Sequence, residues 1–125
     1  MITRVYSGGI YVRDQQKALD FFTETLGFDL IADRPMGPEA RWIEVAPKGS
    51  PESATRLVLY TPDGQEDRIG TFSNILFRCD DIDKTYEDLS AKGVNFPDKP
   101  RKEFWGWWAM FEDPDGNKYG LGQDD

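Results

Sequence analysis

A chain of 125 residues, 38% hydrophobic and 30% charged with the apolar residues spread along its length, can bury one core and does not have the composition of a disordered chain. Its formal net charge of −8 argues against nucleic acid and anionic membrane as partners, both of which need a positive surface, and leaves neutral or cationic small molecules open. A lone cysteine, no histidine and no apolar run near the roughly 20 residues of a bilayer span exclude an internal disulfide, a cysteine zinc cluster and a membrane helix, and a cytoplasmic protein is expected.

The residues from Val5 to Val12 are β-branched and aromatic and read as a strand. Asp14 follows as a helix N-cap, and Gln15 to Leu26 carries Ala18, Phe21, Phe22 and Leu26 on one stripe, closed by Gly27. Phe28 to Ala32, Arg41 to Ala46 and Arg56 to Tyr60 read as strands, separated by the breakers Pro35 to Pro38 and Pro47 to Pro51. The second half repeats the order. Phe72 to Cys79 is a strand and Asp81 to Lys92 a helix with Ile82, Tyr86 and Leu89 on one face, closed by Gly93. Val94 to Phe96, Trp105 to Glu112 and Lys118 to Leu121 supply three further strands, with Pro97 to Glu103 a solvated loop and Asp113 to Asn117 a tight turn.

Each half therefore reads βαβββ, and Ile10 to Asp14 falls on Phe77 to Asp81. The expected fold is α+β: one domain over 1–125, with repeat one at 1–64 and repeat two at 70–125, forming a curved mixed sheet around a cleft with the helices outside.

The segments Ile10-Tyr11-Val12-Arg13-Asp14, Lys17 to Phe22 and Leu26-Gly27-Phe28 resemble the opening of the glyoxalase/bleomycin resistance/extradiol dioxygenase (vicinal oxygen chelate) superfamily. Asp80 to Asp83 with Gly93-Val94 is similar to its second helix, and Phe111 with Asp113-Pro114-Asp115-Gly116-Asn117 and Leu121 to its closing hairpin. The resemblance implies a cleft metal held by His or Gln on the first strand and Glu on the last strand of each unit. Those four positions correspond here to Ser7, Val58, Asn74 and Gly120. A hydroxyl, a methyl pair, an amide and a hydrogen are not the imidazole, thiolate or carboxylate that a transition ion requires, so neither a metal nor another cofactor is expected.

Strand alternation then sorts the remaining side chains. Gly9, Tyr11, Leu76 and Arg78 share the cleft face with Ser7 and Asn74, and Ile10, Val12, Ile75, Phe77 and Cys79 face the helices, Cys79 as a small apolar side chain. The same reasoning sends Trp42 and Glu44 to the cleft and Ile43 and Val45 beneath the helix. In the second unit it sends Trp107, Ala109 and Phe111 inward, leaves Trp105 at the rim and gives Trp108 to packing. Ser7, Trp42, Glu44, Asn74, Arg78, Trp105, Trp107 and Phe111 are thus the candidate ligand-binding residues. Glu44 is also the catalytic candidate, able to pair with a cation, act as a base or remain a solvated strand residue; Arg78 can bind an anion or neutralise Glu44. The resemblance includes metal-free, drug-binding resistance proteins, and it implies metal-independent binding of a small, partly aromatic and possibly cationic molecule by a homodimer. The alternative is a lyase or dioxygenase of the glyoxalase type, metal-dependent or using Glu44 as base.

Overall fold

The computed structural model describes residues 1–124. They form two compact units that divide between Ile69 and Gly70, each a four-stranded mixed sheet with one helix. Unit 1 contains β1 (Ser7–Ile10), α1 (Gln15–Asp20), β2 (Asp29–Met36), β3 (Ala40–Ala46) and β4 (Arg56–Leu59), with sheet order β1-β4-β3-β2. Unit 2 contains β5 (Phe72–Cys79), α2 (Ile82–Ala91), β6 (Arg101–Glu103), β7 (Gly106–Glu112) and β8 (Lys118–Gln123), with order β5-β8-β7-β6. In both, the first and last strands pair in parallel and the others are antiparallel, so the fold is α+β with tandem βαβββ units.

The ladders fix which residues are equivalent. Ile10 pairs with Leu59 as Phe77 pairs with Leu121, and Val45 pairs with Leu57 as Phe111 pairs with Tyr119. Both helices begin as their sequences require: Asp14 Oδ1 accepts from Lys17 N at 3.1 Å, and Asp81 Oδ1 accepts from Lys84 N at 3.1 Å. Gly27 and Gly93 lie beyond the helix ends at φ 77° and 91°, conformations that a Cβ disfavours. The first helix does not stay α-helical to Leu26. It passes into a π turn over Phe21–Thr25, which leaves Phe22 fully buried.

Three expected boundaries move for physical reasons. β2 continues through Pro35 to Met36, because β2 is an edge strand and a missing N–H there breaks no ladder. The strand expected over Val94 to Phe96 shrinks to a single bridge between Asn95 and Glu112. Its place at the edge is taken by β6, inside the expected loop, because Pro97 and Pro100 interrupt donors until Arg101.

Helix-facing apolar residues form the core of each unit. Ile10, Val12, Phe22, Ile43, Val45 and Leu59 are buried in unit 1, where α1 packs on β3 and β4. In unit 2 the rings of Phe77, Phe111 and Tyr119 stack with centroids 5.3 to 6.1 Å apart. Phe96 links that stack to Tyr86 on α2.

The closing turn is held by one buried carboxylate. Asp113 accepts from the backbone N of Asp115 at 2.9 Å and of Asn117 at 3.0 Å, from Asn117 Nδ2 at 2.9 Å and from the Tyr119 hydroxyl at 2.6 Å. Burial pushes the Asp113 carboxyl upward against these bonds, and burial with the neighbouring Asp113 charge raises the Tyr119 hydroxyl further. Asp113→Ala removes an acceptor shared by four donors at once. It should lower stability by about 2–4 kcal/mol in urea unfolding, with Asp113→Asn recovering part of the loss.

Candidate ligand-binding site

The helix-free face of unit 1 is set by two pairings. Gly9 and Glu44 both lie beside Val58, and Ser7 lies beside Arg56, so Ser7, Gly9, Trp42, Glu44, Arg56 and Val58 share one side of the sheet. Trp42 and Glu44 therefore lie on the face expected from strand alternation, with Ile43 and Val45 buried on the other.

Glu44 is nevertheless not a solvated strand carboxylate. It is 2% exposed. Its Oε2 accepts from Trp42 Nε1 at 2.8 Å, its Oε1 from Arg56 Nη1 at 3.1 Å, and the Tyr6 hydroxyl lies 3.3 and 3.4 Å from the two oxygens. Arg56 also donates to the Tyr6 hydroxyl at 2.9 Å and places its guanidinium 5.2 Å from the Tyr6 ring centroid. The cation that neutralises Glu44 within its own unit is thus Arg56, a residue the sequence reading passed over along with Tyr6. The signal was available, since Arg56 stands two residues before Val58 on the neighbouring strand. Trp42 leans against Tyr60 at 6.1 Å and 46°.

Unit 2 corrects the sequence reading. Phe111 pairs with Tyr119, is 2% exposed and stacks on Phe77, so it belongs to the helix-side core and not to a ligand wall. Ala109 and Trp107 alternate with it and share its side. Trp107 reaches the uncovered edge of that side, where Lys102 Nζ sits 5.7 Å from its ring centroid. The side chains on the helix-free face are those between them, Trp108 and Met110, which pair with Gly122 and Gly120. Trp108, assigned to packing from sequence, is the structural equivalent of Trp42, and Met110 is the equivalent of Glu44.

β8 makes room for this. A Cβ built on Gly120 would collide with the indole of Trp108 and come within 2.7 Å of a Leu76 methyl, so the ring lies directly over the bare backbone. At Gly122 the Arg78 side chain does the same, with Nε 3.2 Å from where a Cβ would stand. Arg78 also donates to the Gln123 carbonyl at 3.1 Å and remains largely exposed. Trp105, 54% exposed, meets Trp108 edge-on at 6.0 Å and 85°, and with Leu76, Arg78 and Trp108 it bounds a hollow of about 40 Å³. Asn74 is exposed on the same strand as Leu76, at φ 63° in a bulge where the pairing of β5 with β8 shifts register.

The four positions of the implied metal set do not suit a transition ion. Val58 is a buried methyl pair against Glu44, Gly120 is covered by an indole, and Ser7 and Asn74 offer only a hydroxyl and an amide. Among the described residues no three His, Cys, Asp or Glu side chains converge as a metal group would need. Cys79 contacts the Gly122 carbonyl at 3.4 Å, and burial raises its thiol, the behaviour of a packing residue. No helix among the described residues is long and apolar enough to cross a membrane.

The family model of the Glyoxalase/Bleomycin resistance protein/Dioxygenase superfamily matches residues 4–121. The chain belongs to this superfamily. It is 45% identical over 119 residues to the uncharacterized protein YetH of Bacillus subtilis strain 168, covering 95% of this chain and 97% of YetH. A crystal structure of a superfamily member from Sphaerobacter thermophilus is similar with a TM-score of 0.88 and 36% identity, covering 98% of each chain. TnmS3, an antibiotic binding protein from Streptomyces sp. CB03234, is 43% identical with a TM-score of 0.82, covering 99% of this chain and 98% of its own.

Because the Trp108 ring occupies the space above Gly120, the two positions must be energetically coupled. Gly120→Ala should cost about 1–3 kcal/mol by forcing the ring out of place. In a double-mutant cycle followed by urea unfolding, the same change in a Trp108→Ala background should cost at least about 1 kcal/mol less.

Proposed function

We propose that this protein binds a small, partly aromatic molecule reversibly, holds it by stacking on tryptophan, and does so without a resident metal ion. The observation that carries the reading is the Trp108 indole lying over Gly120, where the superfamily resemblance would put a metal-binding carboxylate. An aromatic surface stands in place of a ligand to a Lewis acid. Its equivalent in unit 1, Trp42, presents a second indole from the matching position. The similarity to an antibiotic binding protein supports the same reading. Arg78, exposed beside Trp108, is the group suited to orient a polar or anionic substituent.

In the same reading two copies of the chain pair. Phe104 is 96% exposed and Trp105 more than half exposed on the β6–β7 turn, an aromatic edge of the kind that pairing covers.

Quenching of intrinsic tryptophan fluorescence by bleomycin-like and other planar aromatic compounds tests the binding reading. Saturable quenching is expected with at least one compound, and Trp108→Ala should weaken it about tenfold, the order of one lost aromatic contact. Absence of saturable quenching across the set would count against binding. Elemental analysis of the purified protein should find zinc, nickel, iron and manganese substoichiometric. A full equivalent of any of them, or product formed from a glyoxalase or dioxygenase substrate, would instead favour the lyase or dioxygenase alternative.

A further inference from the structure

The buried carboxylate of unit 1 has no counterpart in unit 2, and that asymmetry is informative. Met110 fills the position equivalent to Glu44, beside a glycine where Glu44 has Val58. Trp108 can lie down on bare backbone, its ring filling the space above Gly120 next to a Leu76 methyl. Trp42 has no such floor, because its neighbouring strand carries Val58. Its indole is held instead through its one polar atom, by the 2.8 Å bond from Nε1 to Glu44 Oε2.

From this geometry we infer that Glu44 is a positioning residue that fixes the Trp42 wall on the helix-free face of unit 1, and is neither a base nor the partner of a ligand cation. The inference rests on the binding reading given above. A base must have an oxygen open to the proton it takes, and both Glu44 oxygens are engaged on a side chain that is 2% exposed. A partner for a ligand cation must carry unbalanced charge, and Arg56 at 3.1 Å already balances Glu44. What the carboxylate retains is direction. Charge-assisted bonds from an indole and a guanidinium, with a tyrosine hydroxyl beside both oxygens, hold it in one orientation, and that orientation is passed to the Trp42 ring. The class of ligand follows: on this wall it is recognised by the face of a planar ring and not by a positive charge paired with Glu44.

The test uses the whole chain labelled with ¹⁵N, in which the Trp42 indole signal is assigned by its loss in Trp42→Phe. In the unsubstituted protein that N–H should be shifted downfield and slow to exchange with solvent. Glu44→Ala should move it upfield, speed its exchange and weaken binding of the best planar compound about tenfold, whereas Glu44→Gln, which keeps an acceptor oxygen, should retain the signal and bind within about threefold. If Glu44→Ala does not fold, the Gln variant still decides: a lost Trp42 signal there overturns the inference. An unmoved signal in Glu44→Ala, unchanged affinity despite a moved signal, or Glu44→Gln that binds normally but abolishes turnover of a bound carbonyl compound would each overturn it as well. Should the unsubstituted protein bind no planar compound, the binding reading fails while the indole signal still decides whether Glu44 anchors Trp42.

Discussion

A large flat side chain can lie on a β-sheet only where the strand beneath it leaves the space empty. Gly120 and Gly122 leave that space on β8, and the Trp108 indole and the Arg78 side chain occupy it. The character of unit 2's helix-free face depends on this constraint. With any side chain at position 120 the ring must swing away, and the surface it forms with Leu76 and Trp105 is lost. Unit 1 reaches a related surface by another route: its floor is Val58, so Trp42 is held by a polar bond to Glu44, and Arg56 makes that buried charge tolerable.

The superfamily membership of the chain gives its scaffold and leaves its chemistry to the residues on that scaffold. Two βαβββ units with parallel outer pairings and capped helices are what the fold requires, and the chain meets each requirement. At the positions where the resemblance implies metal ligands stand a hydroxyl, a buried methyl pair, an amide and a glycine covered by an indole. Position 120, where the resemblance implies a carboxylate, holds a glycine, and the Trp108 indole fills the space a Cβ there would take.

Much of this was legible in the sequence because it was written in local chemistry. Asp14 and Asp81 announce helix starts, Gly27 and Gly93 announce their ends, and the repeated order of elements gives the topology. The face of β3 was legible because Ile43 and Val45 alternate with Trp42 and Glu44. The face of β7 was misread, since Trp107, Trp108, Met110 and Phe111 are all apolar and composition cannot choose between the two alternations. Register would have chosen: Phe111 is the equivalent of Val45, which belongs beneath the helix, and Gly120 pairs with Met110. β6 was missed because a three-residue strand directly after Pro97 and Pro100 carries no periodic signal. Tyr6 was missed because it precedes β1 and meets Glu44 from 38 residues away in the chain, a pairing that leaves no mark on local pattern, whereas Arg56 was legible from its place two residues before Val58 and was passed over.

A crystal structure of the protein with its tightest planar ligand tests the central claim most directly. The ligand's ring should lie against the Trp108 or Trp42 indole on a helix-free sheet face, with no metal ion beside Gly120. A ligand seated elsewhere with both indoles bare, or an ion coordinated at the Ser7, Val58, Asn74 and Gly120 positions, would contradict it.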